Sequence, residues 1–147
     1  MGRDRTNWCQ PIATLHFIKS TMPHLTLEYT DSLPQFNAGE TLAALNKSLV
    51  ASGHFDEIDI KSRAIRLTTY LVGTSTDSHA FIHAKLAILS GRSIQIRQAL
   101  SESLLHALQA SSSKYTDTHL QICVEVQEIE RETYSKSTSP NTAKEET

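Results

Sequence analysis

Four runs of alternating apolar residues and two stripes of helical spacing follow one another in a fixed order, and that order restricts the fold more than any other feature of the chain. Leu25, Leu27 and Tyr29 alternate with His24, Thr26 and Glu28, the two-residue period of a half-buried strand. Asp31-Ser32-Leu33-Pro34 breaks this run. From about residue 39 to 52, Leu42, Leu45 and Leu49 fall at helical spacing, and Gly53 stands where a helix C-terminal cap belongs. Residues 60–72 are rich in β-branched side chains and end at Gly73, which predicts a second strand preceded by a turn through residues 56–59.

The pattern then recurs. Ala80, Ile82, Ala84, Leu86 and Ile88 form an apolar face opposite His79, Phe81, His83 and Lys85, and Ser90-Gly91-Arg92-Ser93 punctuates the run. Ile96, Leu100, Leu104 and Leu108 recur every four residues, widened by Leu105 and Ala107, predicting a longer helix over about 93–113. Leu120, Ile122, Val124 and Val126 alternate as a fourth strand. Two strand-helix-strand units in tandem predict an α+β fold: one four-stranded, mostly parallel sheet with two helices on one face. Each crossover is long enough to join parallel strands.

At 147 residues the chain is one domain's worth, able to bury a core without metal or disulfide staples. Its two cysteines are Cys9, in the leading segment, and Cys123, which reads as a small core or near-core residue, so a disulfide framework is not expected. No stretch approaches the roughly 20 apolar residues of a membrane helix, and no secretory leader pattern appears, so a cytoplasmic protein with no membrane partner is expected. The net charge is -2, with Arg3, Arg5 and Lys19 against Asp4 in residues 1–21 leaving -4 for the rest, a balance that disfavours nucleic acid. An anionic ligand would have to be held by a few local cations.

Residues 1–21 show neither helical nor strand periodicity, and an upstream start assigned in error, a removable leader or a genuine extension would each account for them. The first is favoured, which makes the segment an extension outside the mature protein. From about Ser135 the chain turns to Ser, Thr, Pro, Asn and Glu without an apolar period, so residues 135–147 are expected to form a disordered tail. The folded domain is then 22–134. Met22 stands directly before Pro23 and could be a removed initiator. Proline at a chain terminus is a secondary amine able to act as a base, whereas an internal proline nitrogen is an amide that merely opens an edge strand.

The Pro23-His24 start with an alternating strand ending in Glu28-Tyr29, the later Lys61-Ser62-Arg63-Ala64, and Gly91-Arg92-Ser93 at a helix start together resemble the 5-carboxymethyl-2-hydroxymuconate isomerase family of the tautomerase superfamily, from Met22 to about Arg131. The resemblance implies a tautomerase-like tandem β-α-β fold, a homotrimer, no organic cofactor and no metal. It also implies catalysis by an amino-terminal proline: conversion of 5-carboxymethyl-2-hydroxymuconate to 5-oxopent-3-ene-1,2,5-tricarboxylate in homoprotocatechuate breakdown, a step of aromatic compound catabolism. Pro23 corresponds to the catalytic proline, Arg92 and Arg63 to substrate-binding arginines, and Lys61 to a position that is usually arginine. An ammonium there cannot make the bidentate fork of a guanidinium. Arg66 stands where the family usually carries an aromatic residue and reads as structural or exposed.

The chemistry of such a site is a proton moved between oxygen and carbon by a base whose pKa lies near the working pH. Burial and nearby cations both disfavour the charged amine, so Arg63, Arg92 and Lys61 could tune Pro23 while binding a carboxylated enol. Ser90 or Ser93 can cap the second helix, whose first free N–H groups would add to an anion site beside Arg92. Arg92 and Arg63 could equally be solvated cations. His24 adjoins Pro23 but is expected on the far face of its strand, and His79 and His83, four apart on a strand, would sit about 13 Å from each other, too far to chelate one ion. Two other functions stay open: a tautomerase of a smaller, phenylpyruvate-like enol, and a non-catalytic trimeric binding module if residues 1–21 block Pro23.

Overall fold

The computed structural model describes residues 22–140; the expected extension 1–21, with Cys9, and the last part of the expected tail lie outside the described residues. Strand β1 (His24–Thr30) leads into helix α1 (Ala38–Ala51), a single turn at Glu57–Asp59 and strand β2 (Lys61–Leu67). Strand β3 (His79–Leu89), helix α2 (Ile94–Ser111) and strand β4 (His119–Ile129) repeat the arrangement, and a second short turn follows at Arg131–Thr133. The strand order is β2-β1-β3-β4. Within each unit the two strands pair in parallel, as the long crossovers require, while β1 and β3 meet antiparallel at the centre.

Local chemistry accounts for the boundaries. Asn37 caps α1 by accepting the Glu40 N–H at 3.0 Å, and Ser93 caps α2 by accepting the Ile96 N–H at 3.2 Å. Gly53, just past α1, takes the left-handed conformation at φ 77° and donates its N–H to the Val50 carbonyl. Strand β2 is shorter than its composition suggests. Its ladder ends where Thr30 faces Leu67, because β1 turns away at Asp31 and leaves residues 68–72 without a strand to pair with. Tyr70 packs its ring edge-on against Phe81 instead, with centroids 6.1 Å apart.

Both helices cover one face of the sheet. Leu25 and Leu27 of β1 and Ala80, Ile82, Ala84, Leu86 and Ile88 of β3 are buried against Leu45 and Leu49 of α1 and Leu100, Leu104 and Leu108 of α2. The polar buried Thr30 is satisfied within this core: its hydroxyl lies 2.9 Å from that of Ser32 and accepts the Phe81 N–H at 3.3 Å. On the opposite, open face, His83 sits between two carboxylates, 3.5 Å from Glu28 and 3.1 Å from Glu125. His79 packs there against His119, with ring centroids 5.1 Å apart. Cys123 corrects the sequence reading: it is exposed, because Leu120, Ile122, Val124 and Val126 lean toward the core and the residues between them face out.

Candidate active site

Strand register sets which groups share an end of the sheet. His24 faces Lys61 on one side and Ala87 on the other, so the residue before it, Pro23, lies where β2 begins and β3 ends. The Pro23 carbonyl accepts the Lys61 N–H at 3.1 Å, and the Pro23 side chain is among the most fully buried of the described residues, less than 2% exposed. Beyond the end of β3 come Ser90, Gly91 and Arg92. Pro23, Lys61 and Arg92 therefore converge on one end of the sheet.

Arg92 is seated rather than solvated. Its guanidinium lies 4.7 Å over the ring of Phe55, which is 3% exposed, and Nη2 donates to the His54 carbonyl at 3.2 Å. Nη1 is buried and has no protein partner among the described residues. Burial, and secondarily the charge of Arg131, hold the Arg92 pKa below the ordinary guanidinium value. A buried donor without an acceptor is an unfavourable arrangement that an anion would relieve. The adjacent Ser93-capped end of α2 adds first-turn N–H groups that lack intrahelical acceptors.

Lys61 donates from its ammonium to the Asp59 carbonyl at 2.9 Å and to the Met22 sulfur at 3.4 Å. Arg63, two residues further along β2, shares the open face with Lys61, which pairs with His24. It is exposed, and its register with Thr26 puts it on the open face, away from Phe55 and the helices, so one subunit does not bring Arg63 and Arg92 together. Arg66 is exposed. His24 lies on the open face, where Nε2 meets the Tyr134 hydroxyl at 3.0 Å. Burial, then the charges of Arg63 and Lys61, push the His24 pKa below 6.5.

Three groups at this end lie outside the sequence motifs. Arg131 donates from Nη2 to the Ser90 carbonyl at 2.9 Å, Tyr134 meets His24, and Lys136 pairs with Asp59 at 3.0 Å. Together they run the chain after β4 across the ends of β3, β1 and β2. None was legible as a site residue, since each follows the last periodic run and depends on where that run delivers the chain. Among the described residues no group of three His, Cys, Asp or Glu side chains is arranged to hold a metal ion, and no helix is long and apolar enough to cross a membrane.

The model of the 5-carboxymethyl-2-hydroxymuconate isomerase family matches residues 23–142. The 5-carboxymethyl-2-hydroxymuconate Delta-isomerase of Escherichia coli is 26% identical over 110 residues, 74% of this chain and 87% of that protein. The crystal structure of a 5-carboxymethyl-2-hydroxymuconate isomerase from Deinococcus radiodurans R1 superposes with a TM-score of 0.76 at 33% identity, covering 82% of this chain and 92% of that one. A fused 4-OT described as a symmetric trimer shares the fold, with a TM-score of 0.60 at 16% identity over 73% of this chain and 85% of its own. The buried proline and seated arginine thus occur on this shared fold, and the chain belongs to the 5-carboxymethyl-2-hydroxymuconate isomerase family, a family of isomerases.

Proposed function

We propose that this protein is a cytoplasmic, cofactor-free isomerase that converts 5-carboxymethyl-2-hydroxymuconate to 5-oxopent-3-ene-1,2,5-tricarboxylate in homoprotocatechuate catabolism, working as a trimer with the amine of Pro23 as general base. The observation that carries the reading is the convergence of buried Pro23 with Lys61 and Arg92 at one end of the sheet. The base removes the proton of the 2-hydroxyl group. As the C=O bond forms, the two double bonds shift along the chain, and the same amine returns the proton to the carbon that bears the carboxymethyl group. Atoms and charge balance without an added reactant.

Burial beside cations disfavours the protonated amine and brings its pKa toward neutrality, where a general base contributes on the order of 10²–10⁴ in rate. Arg92, with its unpartnered Nη1, binds one substrate carboxylate, and Lys61 binds another as a point charge. Arg63, exposed on the open face, serves a neighbouring copy in the trimer. The reading needs a free amine, so the working chain starts at Pro23. In support, the family match begins at residue 23, and Met22 is held at φ 115°, a conformation L residues adopt only at a cost of about 1–3 kcal/mol.

A second reading, a smaller phenylpyruvate-like enol as substrate, is favoured by Lys61, which lacks the fork that grips a carboxylate bidentately. A chain that retains residues 1–21 would be a trimeric binding module instead, because its Pro23 nitrogen is an amide. The test is ultraviolet absorbance of 2-hydroxymuconate-type dienols with the chain starting at Pro23 and with all 147 residues. Activity in the short chain alone, largely lost in Pro23→Ala, is expected. Equal activity in both, with the extension intact, overturns the proline mechanism.

A further inference from the structure

We infer that Arg131 is a specificity-determining residue of the same site, forming with Arg92 a two-guanidinium clamp that selects substrates carrying an additional carboxylate. The inference deepens the proposed function and rests on its assignment of Arg92 to carboxylate binding. Strands β3 and β4 run in parallel register to Leu89 and Ile129, and the Ser90 N–H donates to the Ile129 carbonyl at 2.9 Å, so the two segments leave the sheet side by side. Arg131 then folds back over the Ser90-Gly91 turn. Its Nη2 donates to the Ser90 carbonyl and lies 3.8 Å from where a Cβ on Gly91 would stand. Arg92, the next residue, turns to the Phe55 ring.

Arg131 lies close enough for its charge to help lower the Arg92 pKa, and among the described residues each guanidinium hydrogen-bonds only a main-chain carbonyl. Among the described residues neither comes within 4 Å of a carboxylate, and the nearby Glu128 pairs with Arg97 at 3.6 Å. Nη1 of Arg92 is buried and unpartnered. A protein that keeps two cations adjacent without a counter-ion accepts a repulsion that a dianionic ligand removes. In the proposed substrate the carbon that receives the proton carries both a carboxylate and a methylene arm ending in a second carboxylate. That spacing, two anions on neighbouring carbons, is what a pair of neighbouring guanidiniums fits. Arg92 takes one and Arg131 the other, aligning the protonated carbon.

Calorimetric titration of the full 147-residue chain with propane-1,2,3-tricarboxylate and with glutarate tests this without calling on the proline amine. Glutarate is the same three-carbon chain lacking the central carboxylate. The tricarboxylate is expected to bind about tenfold more tightly, the scale of one additional charge-assisted hydrogen-bonded contact. Arg131→Gln should erase that advantage and leave glutarate binding within about twofold, while Arg131→Lys keeps part of it. Equal wild-type affinities, absence of binding, or a Gln variant that weakens both ligands alike would each overturn the clamp, the last by showing a purely structural role. If the advantage holds while the chain starting at Pro23 shows no enol-keto activity, the catalytic reading fails and the clamp stands.

Discussion

The hydroxyl of Tyr134 lies 3.0 Å from Nε2 of His24, joining residues 110 positions apart where the chain after β4 crosses the start of β1. Tyr134→Phe is expected to cost about 0.5–1.5 kcal/mol, the net worth of one such hydrogen bond, measured by urea unfolding.

His24 also gives a pH signature. Its pKa is lower in the folded protein than the ordinary 6.5, so the unfolded chain binds more protons as the pH falls below that value. The stability it supports is fully present above 6.5 and is lost as the pH falls through the folded value. Thermal midpoints followed between about pH 5 and 8 should decline on the acid side, and His24→Gln should flatten that part of the decline. An unchanged slope in the variant would assign the acid sensitivity to other groups.

Phe55 serves the core and Arg92 at once, and two substitutions separate these roles. Phe55→Ala is expected to destabilise by about 3–5 kcal/mol through the cavity it leaves. Phe55→Leu should cost less than about 1.5 kcal/mol in unfolding experiments while removing the aromatic face under the guanidinium. In the active form its Michaelis constant should rise more than its unfolding midpoint falls.

Gly91 holds φ at 118°, a region closed to most side chains. Gly91→Ala should destabilise by about 1–3 kcal/mol in chemical denaturation, although a Cβ would meet nothing nearer than Arg131 Nη2 at 3.8 Å, an ordinary contact, because the penalty lies in the backbone. A neutral result would mean that the turn relaxes.

Asp59 anchors the far end of the crossing segment through Lys136. Asp59→Asn should cost about 1 kcal/mol or less, since Lys136 is partly exposed, and should speed proteolysis of residues 134–140 more than it lowers the melting temperature.

Much of the scaffold was readable because periodicity reports burial. Leu100, Leu104 and Leu108 are spaced as a helix stripe and are buried as one, and the β3 alternation from Ala80 to Ile88 marks the face under the helices. Strand β2 was overextended because β-branched composition says nothing about whether a partner strand is still present, and past Thr30 none is. Arg92 could be singled out from its place before a capping serine, but its seat could not: Phe55 and His54 reach it from the turn after α1, a contact set by tertiary packing. Cys123 was placed inward because an apolar neighbourhood in sequence was read as one in space. Arg131 and Tyr134 lie past the last periodic strand, in a stretch whose direction only the folded sheet determines.

The antiparallel meeting of β1 with β3 has a consequence for how many reactions one chain can host. The two halves share one order of elements, and Ser78 stands before β3 as Pro23 stands before β1. Because the halves point in opposite directions, these two positions open at opposite ends of the sheet. The second half repeats the element order of the first, but Ser78 lies within the chain and is held in a peptide bond on both sides. A chemistry that depends on a terminal amine is therefore limited to one mouth per polypeptide, and the other end is released from that constraint.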